Sequence, residues 1–163
     1  MNISNRPEWL QLTIDLSPVA SLLIAIGVGV YMARRARRAE KIQYTIDLLQ
    51  FKFANVKIFA AYHYVSKLML EGKLFMPETL FDDPVELDKQ ILEVDRLLSY
   101  FELISIAYLS GDVDRKTIEM QIKTGLYKTY DTCEPYIRDM QQRLNKPKLY
   151  ENLKTVADQF RIS

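Results

Sequence analysis

The chain has 163 residues, a net charge of +1, and 48% hydrophobic against 26% charged residues. That length and apolar content suffice for one compact domain without disulfides or a structural metal. A near-neutral body lacks the basic face that nucleic-acid binding needs, and the single cysteine, Cys133, excludes an internal disulfide.

The first element runs from Leu16 to Met32, 17 residues without a charge. At about 1.5 Å per residue it spans roughly 25 Å, near the short end of what crosses a hydrocarbon core of about 30 Å. Pro18 suits the first helical turn, where its missing N–H costs nothing. Trp9 and Tyr31 fall near the two ends, as interfacial aromatics do. The pattern predicts a transmembrane helix over 16–32, preceded by a short external segment, 1–15. Next comes a basic juxtamembrane segment, 33–41, with five Lys/Arg against one Glu, whereas Arg6 is the one basic residue before the span. Positive charge stays inside, so the amino terminus is expected outside and the remainder in the cytoplasm. Arg34, Arg35, Arg37, Arg38 and Lys41 are therefore the expected membrane-interface residues. They stop transfer, and contact with anionic lipid headgroups adds about 1 kcal/mol per basic residue. A signal peptide would carry its basic flank first.

Residues 42–163 read as a cytoplasmic helical domain. Ile42, Ile46, Leu49, Phe53, Val56 and Ala60 recur at fours and threes, one face of a helix. No Gly or Pro lies between Tyr31 and Glu71, so that helix is expected to run out of the membrane unbroken and end near Gly72. Lys73 to Pro84 is a loop, and Asp83 before Pro84 is a helix start. Leu87, Ile91, Val94, Leu98, Phe101 and Tyr108 mark the next helix, with a gap at Ser105 and an end near Gly111. Asp112 and Asp114 offer caps for a segment whose stripe is Ile118, Ile122, Leu126, Cys133, Ile137, Met140 and Leu144. Pro135 falls inside it, which predicts either a kinked helix or two helices meeting near Asp131. After Asn145 to Pro147, Leu149, Leu153, Val156 and Phe160 form a terminal helix. The predicted fold is all-α: one N-terminal transmembrane helix followed by a cytoplasmic four- to five-helix bundle.

Chemistry-bearing motifs are sparse. His63 is the one histidine and lies beside an apolar stripe, where packing is the ordinary role. No second histidine or CxxC pair completes a zinc set, and the five glycines are too scattered for a phosphate loop. Neither a metal nor a cofactor is expected. Cys133 sits on a core stripe and reads as inert packing. Glu86, Asp88, Glu93 and Asp95 read as a solvated helix face. Glu102 is different: it stands alone among apolar residues on the flank of a buried stripe. A buried carboxylate needs a cation or several donors, and Arg138, Arg143 or a tyrosine hydroxyl are candidates. Tyr127, Tyr130 and Tyr136, three of ten tyrosines, are a candidate partner surface, because each ring has an apolar body and a polar tip.

Leu98-Ser99-Tyr100-Phe101-Glu102-Leu103-Ile104, with Ala107 and then Gly111-Asp112-Val113-Asp114, resembles the central motif of a bacterial family, the domain of unknown function 4760. Further echoes are Thr45, Tyr130 with Pro135, Ile137 and Arg138, and Tyr150 with Leu153. Ser99 stands where that family commonly has asparagine, and Phe160 where tryptophan often falls. The resemblance implies an amino-terminal membrane helix, a helical domain at the inner face of a bacterial membrane, and a place for Glu102 in a recurring helix-end motif. It transfers no catalytic residues.

These features predict a non-enzymatic, single-pass inner-membrane protein whose helical domain binds an unknown protein partner. Superinfection exclusion or phage defence is the narrower expectation. No nucleic-acid partner is expected, and homo-oligomerisation is left open. One alternative is an oligomerising effector that permeabilises the bilayer. Another is a membrane-tethered enzyme using Glu102 or His63.

Overall fold

The computed structural model describes residues 8–74 and 84–162, with side chains described for 22–52, 54–74 and 87–162. Among the described residues there are five helices and no strand. They are α1 (Glu8–Ala54), α2 (Val56–Leu70), α3 (Pro84–Ser110), α4 (Arg115–Arg143) and α5 (Glu151–Ile162). The chain divides into two units, residues 1–40 and 41–163.

In the first unit, the side chains described from Leu22 to Met32 are all exposed, with Leu22, Leu23 and Ile24 at 60, 64 and 66%. Among the described residues no helix is long and apolar enough to cross a membrane. The side chains of the expected span's first residues, 16–21, lie outside the description, as do Trp9 and Pro18.

The second unit holds the core. α3 packs against α2, α4 and α5, and α4 also packs against α5. α3 buries Val94, Leu97, Leu98, Phe101, Ile104, Ala107 and Tyr108. Each large apolar side chain buried this way contributes about 1.5–3 kcal/mol. The gap expected at Ser105 is filled: that residue is fully buried, and its hydroxyl donates to the Phe101 carbonyl at 2.7 Å. In α4, Ile118, Leu126, Cys133 and Ile137 are buried, as the stripe predicts, but Leu144 lies beyond the helix and is 49% exposed. α4 continues through Pro135 as one helix rather than two. Asp114 caps it, its carboxylate accepting from the Thr117 N–H at 3.1 Å. α5 buries Leu153, Val156, Ala157 and Phe160. The cap expected at Asp83 lies outside the described residues.

Two expectations about the first helix of residues 42–163 are corrected. The helix breaks at Asn55 instead of running to Gly72. Asn55 adopts φ −93° and ψ 99°, and its side-chain oxygen accepts from the Lys57 and Ile58 N–H groups at 3.1 and 3.3 Å. A carboxamide that satisfies two orphan amides stabilises a new helix start by about 1 kcal/mol, and neither glycine nor proline is needed. The buried face is also displaced. Thr45 and Leu48 face the core, whereas Ile42, Ile46 and Val56 are 37, 36 and 78% exposed and Ala60 is exposed too. In α2 the buried residues are Ala61, Val65 and Leu68. Thr45 holds the buried position because its hydroxyl is fully used. It donates to the Lys41 carbonyl at 2.7 Å and accepts from the Asp114 N–H at 2.8 Å.

Candidate functional site

The corner at Asn55 opens a groove in the second unit. Phe51, Asn55, Lys57 and Ile58 form one wall, and Leu92, Arg96 and Leu103 of α3 form the other. Buried Tyr100 lies at its base, and the groove has a volume of about 430 Å³. Phe51, Leu92 and Leu103 are 44, 49 and 44% exposed. These side chains stay uncovered because the helix turns away after Ala54, and α3 is apolar on its outer face as well as its inner one. The rim is polar. Asp95 accepts from the Tyr136 hydroxyl at 2.8 Å, and Arg96 pairs with Glu93 at 2.6 Å. An apolar floor with a charged rim suits a docked helix or peptide better than a reacting small molecule.

The sequence motif around Tyr100 has another role: it clasps helices together. The Tyr100 hydroxyl donates to the Leu48 carbonyl of α1 at 3.3 Å. Burial pushes that phenol up to about 12. Glu102 reaches α5 instead, one oxygen accepting from Asn152 Nδ2 at 2.8 Å and the other from the Leu153 N–H at 2.7 Å. A carboxylate on the first amides of a helix caps it and complements its dipole. Both Glu102 oxygens are thereby engaged. The donors expected for it are elsewhere: Arg138 pairs with Glu134 and Arg143 with Asp139 within α4. Gly111, with φ +76°, makes the turn after α3, where a side chain would be strained.

The proposed tyrosine surface is likewise corrected. Tyr130 is 4% exposed and belongs to the core, and Tyr127 and Tyr136 are partly buried against it. Desolvation raises the Tyr130 and Tyr136 phenols, and the Asp95 carboxylate raises Tyr136 further. Tyr108 behaves similarly: burial, then its 2.6 Å bond to Glu119, moves it up to about 12. Tyr108 and Tyr136 use their hydroxyls to tie α3 and α4 together.

His63 is exposed, its ring edge-on to Phe59 with centroids 4.7 Å apart. Cys133 is fully buried, and burial pushes its thiol up to about 12. Lys52 is partly buried with its ammonium 3.0 Å from the centre of the Tyr62 ring, and burial lowers its pKa. The adjoining cavity, about 50 Å³, is water-sized. Among the described residues no group of three or more His, Cys, Asp or Glu could hold a metal ion. Arg34, Arg35, Arg37, Arg38 and Lys41 are exposed along α1. The groove was missed in the sequence, although α3 signals it by carrying Leu92, Leu103 and Ile106 opposite its buried stripe.

Residues 19–160 match the family model described as Domain of unknown function (DUF4760), and the chain belongs to that family. No curated protein and no solved structure matches it.

Proposed function

We propose that this member of the DUF4760 family is a non-enzymatic, single-pass membrane protein whose helical domain docks a protein partner in the groove at the α1–α2 corner. The groove carries the proposal: three large apolar side chains, Phe51, Leu92 and Leu103, line it and stay 44–49% exposed. Apolar surface of that kind, rimmed by polar residues, marks interaction sites.

The membrane placement is supported by the uncharged run Leu16–Met32 and the arginines that follow it. It is also supported by the exposure of that run's described large apolar side chains, from 47% at Val30 to 66% at Ile24. The arginines orient the chain with its carboxyl-terminal domain in the cytoplasm and rest among anionic headgroups. The non-enzymatic part is supported by the engagement of both Glu102 oxygens and by the depth of Cys133.

A photo-reactive amino acid at Leu103 of the full-length chain, activated in membranes, tests the groove. The expected result is a discrete protein adduct that Phe51→Glu abolishes. Labelling no stronger than at an exposed polar site such as Gln142 would defeat it. A reporter fused after Met140 tests the orientation, and an external reporter would overturn the placement. Superinfection exclusion is the narrower form of the proposal, and it is measured by phage plating on cells with and without the gene.

A further inference from the structure

Along α3, charges and exposed apolar residues fall in rows seven residues apart. Leu92, Ser99 and Ile106 form the middle row, all exposed, with Leu103 beside it. Asp88, Asp95 and Glu102 form the row on one flank, and Lys89 and Arg96 the row on the other. Seven residues return to within about 20° of the same helix direction, so each row is a strip down the helix. The opposite side of α3 is the buried one that carries Val94, Leu97, Phe101 and Ile104. A helix apolar on both faces needs cover on both, and a seven-residue repeat is the spacing of a helix–helix seam.

We infer that this seam receives α3 of a second copy of the chain, packed in parallel. Charge selects both the occupant and its direction. A two-fold axis along the seam sets the acidic row of each copy against the basic row of the other, Asp88 beside Lys89 and Asp95 beside Arg96. An antiparallel pair sets acidic row on acidic row, and like charges repel. Several of these side chains already have partners at home. Asp95 accepts from Tyr136, Arg96 pairs with Glu93, and Lys89 sits 4.6 Å from the Tyr64 ring centre. Each cross-pair therefore adds little, and the seam is short. Such a contact is weak between free molecules. A shared membrane tether raises the effective concentration to the millimolar range and makes it count. The inference rests on the reading of this groove as the docking surface of a membrane-tethered protein, and it names the occupant.

The test uses the full-length chain in isolated membranes treated with a mild thiol oxidant such as copper phenanthroline, with Leu92→Cys and Ile106→Cys made separately. Cys133 is fully buried with its thiol raised to about 12, so it contributes little background. The parallel seam predicts a disulfide-linked dimer from each variant alone, and no mixed disulfide when the two are co-expressed. Lys89→Glu should lower the linked fraction about fivefold at low salt, because attractive pairs become repulsive. Adding Asp88→Lys should restore it, which separates charge pairing from misfolding. Linkage no greater than in the wild-type chain overturns the inference. So does a mixed disulfide, or a loss that the second substitution does not restore. The Leu103 photo-adduct separates the two levels. An adduct with a different protein, without homodimer disulfides, overturns the second copy and leaves the docking groove standing. No adduct and no disulfide overturn both.

Discussion

Two eleven-residue stretches of helix, 22–32 in α1 and 94–104 in α3, invert the ordinary expectation. The first contains no charged residue, yet Leu22, Leu23 and Ile24 are 60–66% exposed. The second contains Asp95, Arg96 and Glu102, yet Val94, Leu98 and Ile104 are fully buried. The difference is what surrounds them. α3 has α2, α4 and α5 against it, and its charges lie on the flanks, where a hydroxyl meets Asp95, a carboxylate meets Arg96 and amides meet Glu102. Hydrophobicity thus measures how much cover a helix needs. Which cover it finds depends on other elements, or, for the α1 stretch under the proposal above, on lipid.

Substitutions in the two stretches should have separable effects. Phe101→Ala should cost about 3–5 kcal/mol of domain stability, by lost burial and a residual cavity. Chemical denaturation measures it, and membrane fractionation of the chain should not change. Ile24→Arg should cost about 2.5–3.5 kcal/mol of insertion free energy. It should move the chain out of the alkali-resistant membrane fraction while leaving domain melting as it was. A common response of both variants in both assays would dissolve the contrast.

Smaller effects sharpen it within α3. Glu102→Ala should cost about 2 kcal/mol, because the α5 amides lose their acceptor. The melting temperature should fall, and a chain that melts normally but loses its activity would instead give Glu102 a direct functional role. Tyr100→Phe should cost about 1 kcal/mol at neutral pH, the worth of its bond to the Leu48 carbonyl. The same variant should flatten the alkaline limb. The Tyr100 phenol moves from 10.0 to about 12 on folding. The folded chain therefore keeps a proton that the unfolded chain releases, so this contribution is intact below pH 10 and declines up to about 12. Equal loss in both proteins over that range would remove Tyr100 as the cause.

Much of the fold was legible from the sequence, and the misses have physical causes. The stripes of α3, α4 and α5 follow the helical period and are buried nearly as spaced. The break at Asn55 was not seen, because it uses a side-chain cap inside an otherwise helical run. The buried face of α1 was misplaced, because Thr45 looks polar until its hydroxyl is seen between the Lys41 carbonyl and the Asp114 amide. The need of Glu102 for donors was legible, but its donors were not. One is a backbone amide, which every residue but proline carries and no pattern marks. Tyr130 reads as surface in the sequence because a tyrosine ring fits an edge or a core equally well.

By itself the sequence determined the helical class, the helices after Pro84, the family, and an uncharged run closed by arginines. All of these are local: period, caps and charge order are properties of neighbouring residues. The tertiary structure alone decided the groove beside the Asn55 corner, the clasps made by Thr45, Tyr100 and Glu102, and which apolar residues of α3 stay uncovered. Those depend on which residues far apart in the chain meet, such as Glu102 and Leu153, and on which polar groups find partners when they do.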